Sequence, residues 1–285
     1  MRYALSIPNF GDWADPRTMI GLARDAEAAG WDGFFIWDHI RFSATPLPVH
    51  DPWVLLAAMA TVTERIKIGP MVTPLPRRHP WKLAREAVSV DHLSGGRLML
   101  GVGIGEPVDV ELEAFDLPGD RKIRAEMLDE GLAILAGLWS GEEFSFAGTH
   151  YRLAPMRFLP RPVQQPRIPI IVAGYWPNRG PIRRAARWDG MNALFPYPTE
   201  DWEGKFTSLV AELRSLRIDG PDDTTPFEIF DGGHTPGDDD PAVAARLGAT
   251  WWVESLDPWR FGWDSSERWP EIGPVRDRIR QGPPR

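Results

Sequence analysis

The sequence predicts an α/β protein, a (β/α)8 TIM barrel, and three observations carry that expectation. Short apolar runs alternate along the chain with segments of helical periodicity. The first four runs start at residues 3, 33, 66 and 98, a spacing of about 30 residues, the size of one βα unit. Eight such runs follow one another before the tail, which favours a closed barrel over an open doubly wound sheet.

Each element has a local reason. Tyr3–Ile7 reads as the first strand. Asp15-Pro16 then supplies a capping carboxylate with proline in the first helical position, and the helix runs to Ala29, where Gly30 stops it. Gly33–Ile36 is the second strand. Asp51-Pro52 repeats the start signal for a helix to Thr63. Ile66–Val72 is the third strand, Pro80–Leu93 the third helix, ended by Ser94-Gly95-Gly96, and Leu98–Val102 the fourth strand. An amphipathic helix over Ile123–Trp139 precedes an irregular stretch rich in proline and aromatics. Within it Phe144–Leu153, with Gly148 inside, resembles a small hairpin. That stretch, about residues 140–168, reads as an insertion between strands 4 and 5 of one domain spanning residues 1–285. Strands follow at Ile170–Ala173, Gly190–Leu194, Phe227–Asp231 and Thr250–Glu254, with helices over Glu200–Leu216 and Pro241–Leu247. The tail, 257–285, carries Trp259, Trp263 and Trp269 and is expected to end in a helix.

Composition narrows the function. The 285 residues are 43% hydrophobic and 25% charged, which suits a globular chain with a large core. A formal net charge of −8 repels nucleic acid and anionic membrane surfaces, so neither is an expected partner. The absence of cysteine excludes disulfides, thiolate metal sites and a cysteine nucleophile. No apolar run approaches the roughly 20 residues of a membrane span, and the first residues lack a signal-type apolar region, so a soluble cytoplasmic protein is expected. The six histidines form no H-x-H or H-E-x-x-H pair, and no G-x-S-x-G is present. The 14 tryptophans exceed what a barrel core of Val, Ile and Leu needs; they serve either as filler or as the lining of a pocket or interface.

In such a barrel the active site lies at the C-terminal ends of the strands. After strand 2 stand Trp37-Asp38-His39, residue types suited to acid–base work or to hydrogen bonding a cofactor ring. After strand 3, Gly69-Pro70-Met71-Val72 indicates a bulge or kink. After strand 4, Gly101, Gly103 and Gly105 alternate and let a ligand lie close to the backbone, with Glu106 at the rim as a candidate acid, base or acceptor. This is not a dinucleotide fingerprint, because no G-x-G-x-x-G opens a helix. After strand 5, Gly174-Tyr175-Trp176 leads to Arg179 and a helix start, a natural place for a cofactor phosphate.

Several of these segments together resemble one family. ARDAEAAGWDGFFIWDH (Ala23–His39), IGPMVTPLPRRHP and VDHLSGGRLMLGVGIGE (within Ile66–Glu106), AILAGLWSG followed by FAGTHYRL, and Pro166–Ala173 are similar to the luciferase-like flavin-dependent monooxygenases and equally to their deazaflavin-dependent relatives. The resemblance covers residues 1–195 well, and DHLSGGRLMLGVG is its most specific element. It implies an oxidoreductase acting on a small organic molecule with FMN or a deazaflavin coenzyme of the F-420 type. By the same resemblance Asp38 and His39 lie beside the redox ring, with His39 a base, and Glu106 serves as acid or positions substrate. Met71-Val72 match a bulge that often carries a non-proline cis peptide behind the ring. Asp109 falls where relatives contact the ring or ribityl chain, and Gly174, Tyr175 and Trp176 match the phosphate-tail loop. It further implies a homodimer and, for an FMN enzyme, a separate flavin reductase. Two departures matter: Gly174-Tyr175 replaces a frequent Gly-Gly pair, and Asn9-Phe10-Gly11 stands where the deazaflavin branch carries an acidic residue. Sugar-phosphate recognition is therefore not implied, and FMN with an apolar or aromatic substrate is the alternative. A flavin-binding barrel without turnover and a metal-dependent barrel hydrolase are the rival classes.

Overall fold

The computed structural model describes residues 1–196, 199–218, 226–237, 239–264 and 268–284. In chain order its elements are β1 (Arg2–Ile7), α1 (Pro16–Ala28), β2 (Gly33–Ile36), α2 (Pro52–Ala60), β3 (Lys67–Pro70), β4 (Thr73–Pro74), α3 (Pro80–Ser94), β5 (Leu100–Gly103), α4 (Val108–Glu111), α5 (Arg121–Trp139), β6 (Glu143–Ala147), β7 (Arg152–Arg157), β8 (Ile170–Tyr175), α6 (Arg179–Ala185), β9 (Gly190–Leu194), α7 (Trp202–Ile218), β10 (Glu228–Gly233), α8 (Pro241–Leu247), β11 (Trp251–Ser255) and α9 (Ile272–Arg280). The helix starts obey the capping logic of the sequence. The Asp15 carboxylate accepts from the Thr18 N–H, and that of Asp51 from the N–H groups of Trp53 and Val54.

One sheet runs in the order β3-β2-β1-β11-β10-β9-β8-β5-β4, with every pairing parallel. A further parallel bridge, Ile68 with Leu98, joins β3 to the chain entering β5 and brings the two ends of the sheet together. The chain is thus an α/β TIM barrel. The expected third strand is split into β3, which pairs with β2 and whose ladder the Met71 N–H extends to the Ile36 carbonyl at 2.8 Å, and β4, which pairs with β5. The peptide joining Met71 and Val72 is cis, as the family resemblance implied. Between β5 and β8 the chain forms the antiparallel pair β6/β7, turned at Gly148, whose N–H meets the Tyr151 carbonyl at 2.9 Å. Among the described residues no helix is long and apolar enough to cross a membrane.

Two cores result. Inside the barrel Phe35, Met71, Met99, Ile171, Phe230, Trp251 and Val253 pack together. The Phe230 and Trp251 rings stack at 5.2 Å, and Gly33 leaves space for the Phe35 and Trp251 rings, which a Cβ there would approach to 2.9 and 3.0 Å. Between sheet and helices lies the larger cluster, which holds Trp13, Trp31, Trp53, Trp139 and Trp252. The family-like run around residues 91–103 is an anchor of this layer. The buried Arg97 guanidinium donates to the carbonyls of Ala60, Thr63, Ile66 and Ser94, and the Asp91 carboxylate accepts from the backbone of Val163 and Gln164.

Asp231, on β10, is buried, and burial pushes its carboxyl up to about 7, with the charge of Asp239 adding to the effect. A folded-state value above the unfolded 3.8 means that the folded chain holds the proton more tightly. Stability is then lost as pH rises between those two values, and the full cost of the buried charge is felt above pH 7. We expect Asp231→Asn to stabilise the protein by about 2–4 kcal/mol at pH 8, each pH unit being worth about 1.4 kcal/mol. At pH 4 it should change little. Denaturant melts of both proteins at the two pH values check this, and an equal effect at both would refute it.

Candidate active site

The site is built at the C-terminal mouth of the barrel, where the chain leaves β2. Trp37 extends the β1 ladder through its N–H to the Ile7 carbonyl (3.0 Å) and fixes its indole to Ser6 Oγ at 2.9 Å. Asp38 is buried, and its carboxylate accepts from Thr73 Oγ1 at 2.7 Å, from Arg78 Nη2 at 2.9 Å and Nε at 3.2 Å, and from Arg77. Its oxygens are therefore committed to cations of the loop after β4, and it orders the mouth from below.

His39, half-buried, is the outer end of this network. Its Nδ1 lies 2.9 Å from Oε1 of Glu111, a buried carboxylate on α4. Glu111 also accepts from the backbone N–H of Ile40 (3.0 Å) and Arg41 (3.1 Å), and from Arg77, which bridges Glu111 and Asp38. An ionised carboxylate can only accept, so Nδ1 of His39 is the donor, and the tautomer this contact selects has its lone pair on Nε2. Asn9, fully buried after β1, clamps the His39 backbone in both directions. Its Oδ1 accepts from the His39 N–H at 3.1 Å, and its Nδ2 donates to the carbonyls of His39 and His50 at 2.8 Å each. A carboxylate at position 9 could not make the latter two bonds, which gives this departure from the family pattern a structural reason.

An aromatic wall stands on the other side of His39. Phe42 meets its ring at 5.0 Å and 80°, Phe10 at 5.6 Å and 78°, and Trp37 at 5.9 Å and 64°. Phe10 and Phe42 stack at 4.1 Å.

The other expected site residues are distributed around this centre. Met71 is buried and Val72 half-buried on the barrel-core cluster, at the break between β3 and β4. Gly101 and Gly103 face them: a Cβ on Gly101 would fall 2.4 Å from the Pro70 carbonyl, and one on Gly103 3.0 Å from Val72. The missing side chains thus admit the neighbouring strand. Glu106 is 61% exposed at the rim, with Oε1 3.6 Å from Arg124, and no hydrogen bond or ion pair joins it to His39. Asp109 is exposed on α4. Gly174 admits Pro181, which a Cβ would approach to 2.1 Å, so the glycine brings α6 against β8. Tyr175 is exposed beside it, and Trp176 continues the ladder to the Leu194 carbonyl at 2.9 Å. The structure thus joins Asp38 to His39 through Arg77 and Glu111, and leaves Glu106, Asp109 and the Gly174–Trp176 loop as separate parts of the mouth. Sequence reasoning missed Glu111, Arg77 and Arg78. The signals were present in the paired arginines after the strand-3 break and in a second acid two residues past Asp109.

Comparison with known proteins agrees with this architecture. The profile of the luciferase-like monooxygenase family matches residues 3–200, and the chain belongs to that family. An uncharacterised protein of Mycobacterium tuberculosis is 34% identical over 227 residues, 74% of each chain. An F420-dependent glucose-6-phosphate dehydrogenase of Beutenbergia cavernae is 34% identical over 167 residues, 57% of this chain and 48% of that enzyme. Among solved structures, the coenzyme F420-dependent tetrahydromethanopterin reductase of Methanopyrus kandleri shares the fold over 98% of this chain and 96% of its own, with a TM-score of 0.72 and 14% identity. A monooxygenase from Streptomyces bottropensis does so over 82% and 71%, with a TM-score of 0.70 and 24% identity.

Proposed function

We propose that the protein is an oxidoreductase that moves a hydride between a deazaflavin coenzyme and a small organic alcohol or carbonyl compound, with His39 as the proton acceptor and donor. The observation that carries this reading is the Glu111–His39 pair, which engages Nδ1 and leaves Nε2 to face a substrate at the mouth of the barrel. Alcohol oxidation needs an oriented base of this kind. The F420-dependent sequence relatives support the choice of coenzyme.

The residues present fit such a coenzyme. Met71 and Val72 would offer an apolar floor to a flat ring, and Tyr175 and Asp109, both exposed, would meet its polar tail. When bound, the deazaflavin supplies the hydride acceptor or donor. His39 Nε2 takes the substrate hydroxyl proton as the carbon loses hydride. Glu111 holds the ring in the required tautomer and balances the positive charge that develops on it. Arg77 in turn keeps Glu111 in place while bound to Asp38, so the dyad is rigid before substrate arrives.

FMN is the competing coenzyme, and parallel absorbance titrations of the purified chain decide between them. The expected result is saturable binding of the deazaflavin with weaker or no binding of FMN. Tighter FMN binding would move the reading to monooxygenation with a separate flavin reductase, and binding of neither would remove it.

A further inference from the structure

The chain after β11 lies beyond the family match at residues 3–200, yet it returns to the site. Trp269 packs on Phe10 at 5.8 Å and on Trp13 at 5.4 Å. Gly11, at φ +75°, makes room for it: a Cβ there would fall 2.2 Å from the indole. Trp263 sits on Trp269 at 4.8 Å, and Trp259 on Trp263 at 5.6 Å. Trp259 then lies nearly parallel to Trp37, 6.2 Å away at 24°, and 5.8 Å from Phe42, whose own edge contact is with His39. Although it stands in this cluster, Trp259 is 43% exposed. Phe42 also lines an open pocket of about 170 Å³ formed within the segment from Ile40 to Val49. A large aromatic ring left open against Phe42 and Trp37, the two rings that border the proposed base, is a surface for an apolar partner.

Charge narrows the partner. Arg77 and Arg78 are spent on Asp38 and Glu111, Arg124 on the carbonyls of Ile104, Gly105 and Gly119, and Arg260 on Glu254. Arg41, which lines the pocket, has no partner for its guanidinium among the described residues, so it is the cation that a phosphate would use, and a sugar phosphate is one of the probes for that reason.

We infer that Trp259 and Phe42, backed by Trp37, form a substrate platform, and that the substrate is a planar aromatic molecule whose reacting carbon is held against His39; this rests on the oxidoreductase reading above. Trp259 would then determine specificity through a segment outside the family match.

Calorimetric titrations test this with three probes: 2-naphthalenemethanol, its saturated counterpart decahydro-2-naphthalenemethanol, and glucose 6-phosphate. The native chain is expected to bind the aromatic alcohol roughly 3- to 10-fold more tightly than the saturated one, the range that ring stacking adds beyond buried area. Trp259→Ala should lose about 10-fold for the aromatic alcohol, and Trp259→Phe should recover most of it, with melting temperature confirming that both fold. Equal binding of the two alcohols, or undiminished binding by Trp259→Ala, would overturn the inference, as would tighter binding of glucose 6-phosphate that Arg41→Ala abolishes. Should Trp259→Ala fail to fold, the preference of the native chain and the Trp259→Phe variant still decide. Coenzyme titrations on the same preparations separate the two readings. An intact aromatic preference with neither coenzyme bound would sink the oxidoreductase proposal alone, and coenzyme binding without the preference would sink the platform alone.

Discussion

Replacing His39 with alanine is expected to slow turnover by about 100-fold or more, the usual size of a lost acid–base group, while coenzyme affinity changes far less. The structure gives the two halves of this expectation separate causes. The imidazole is held by one side-chain bond, to Glu111, whereas the backbone of residue 39 is held by Asn9 through atoms that alanine retains. Loss of the ring therefore removes the base and leaves the loop anchored. Glu111 keeps Arg77 and the N–H groups of Ile40 and Arg41 as donors, so no buried charge is orphaned. Melting temperature and turnover are to be measured on the same variant. A large fall in melting temperature with near-normal turnover per folded molecule would mean that His39 is a structural residue.

Glu254→Gln should destabilise the protein by about 3–5 kcal/mol, the cost of removing one member of a buried charge cluster. Glu254 is fully buried at the end of β11, where its carboxylate accepts from Arg260 at 2.6 Å, Arg278 at 3.0 Å, the Thr235 hydroxyl at 2.6 Å and the Thr235 N–H at 2.9 Å. Burial opposes its ionisation, but the hydrogen bonds from Thr235 and Arg260 and the charge of Arg278 together outweigh burial and hold its carboxyl below the usual range. A depressed folded-state value contributes stability that is present above the unfolded value of 4.5 and lost as pH falls through the folded one. The gap between native and variant should therefore be full at pH 7 and narrow in acid. Denaturant melts at the two pH values read it directly. A loss below about 1 kcal/mol at pH 7 would show that the cluster is dispensable. Because Arg260 adjoins Trp259 and Arg278 belongs to α9, loosening this cluster should also loosen the tail that carries the aromatic wall.

The barrel was largely legible in the chain because its determinants are local. Proline after aspartate starts a helix through bonds within one turn, as the Asp15 and Asp51 caps show, and the βα period needs only the count between apolar runs. The strand-3 break was visible as Gly69-Pro70-Met71-Val72, but its extent was not: a strand expected over Ile66–Val72 became β3 and β4, because the ladder depends on which neighbours offer donors. The repeated glycines after strand 4 have a packing role that the sequence did not reveal: Gly101 and Gly103, read as room for a ligand, also stand where a Cβ would meet Pro70, Met71 and Val72.

What the sequence determined by itself was the alternation that makes the barrel and the strand ends at which its candidate site residues stand, His39 among them. Tertiary structure decided which carboxylate serves that histidine. Glu111 lies 72 residues from it, and Arg77 bridges Glu111 to Asp38 across the mouth. Glu106, closer to the glycine run and more conspicuous in the sequence, points to solvent and Arg124 instead. The tail was decided in the same way, since its tryptophans acquire a site only when Gly11 admits Trp269 and the chain folds back onto β1 and β2. The physical reason is common to both: hydrogen bonds and ring contacts select partners by distance and direction in space, and a sequence records neither until the barrel closes.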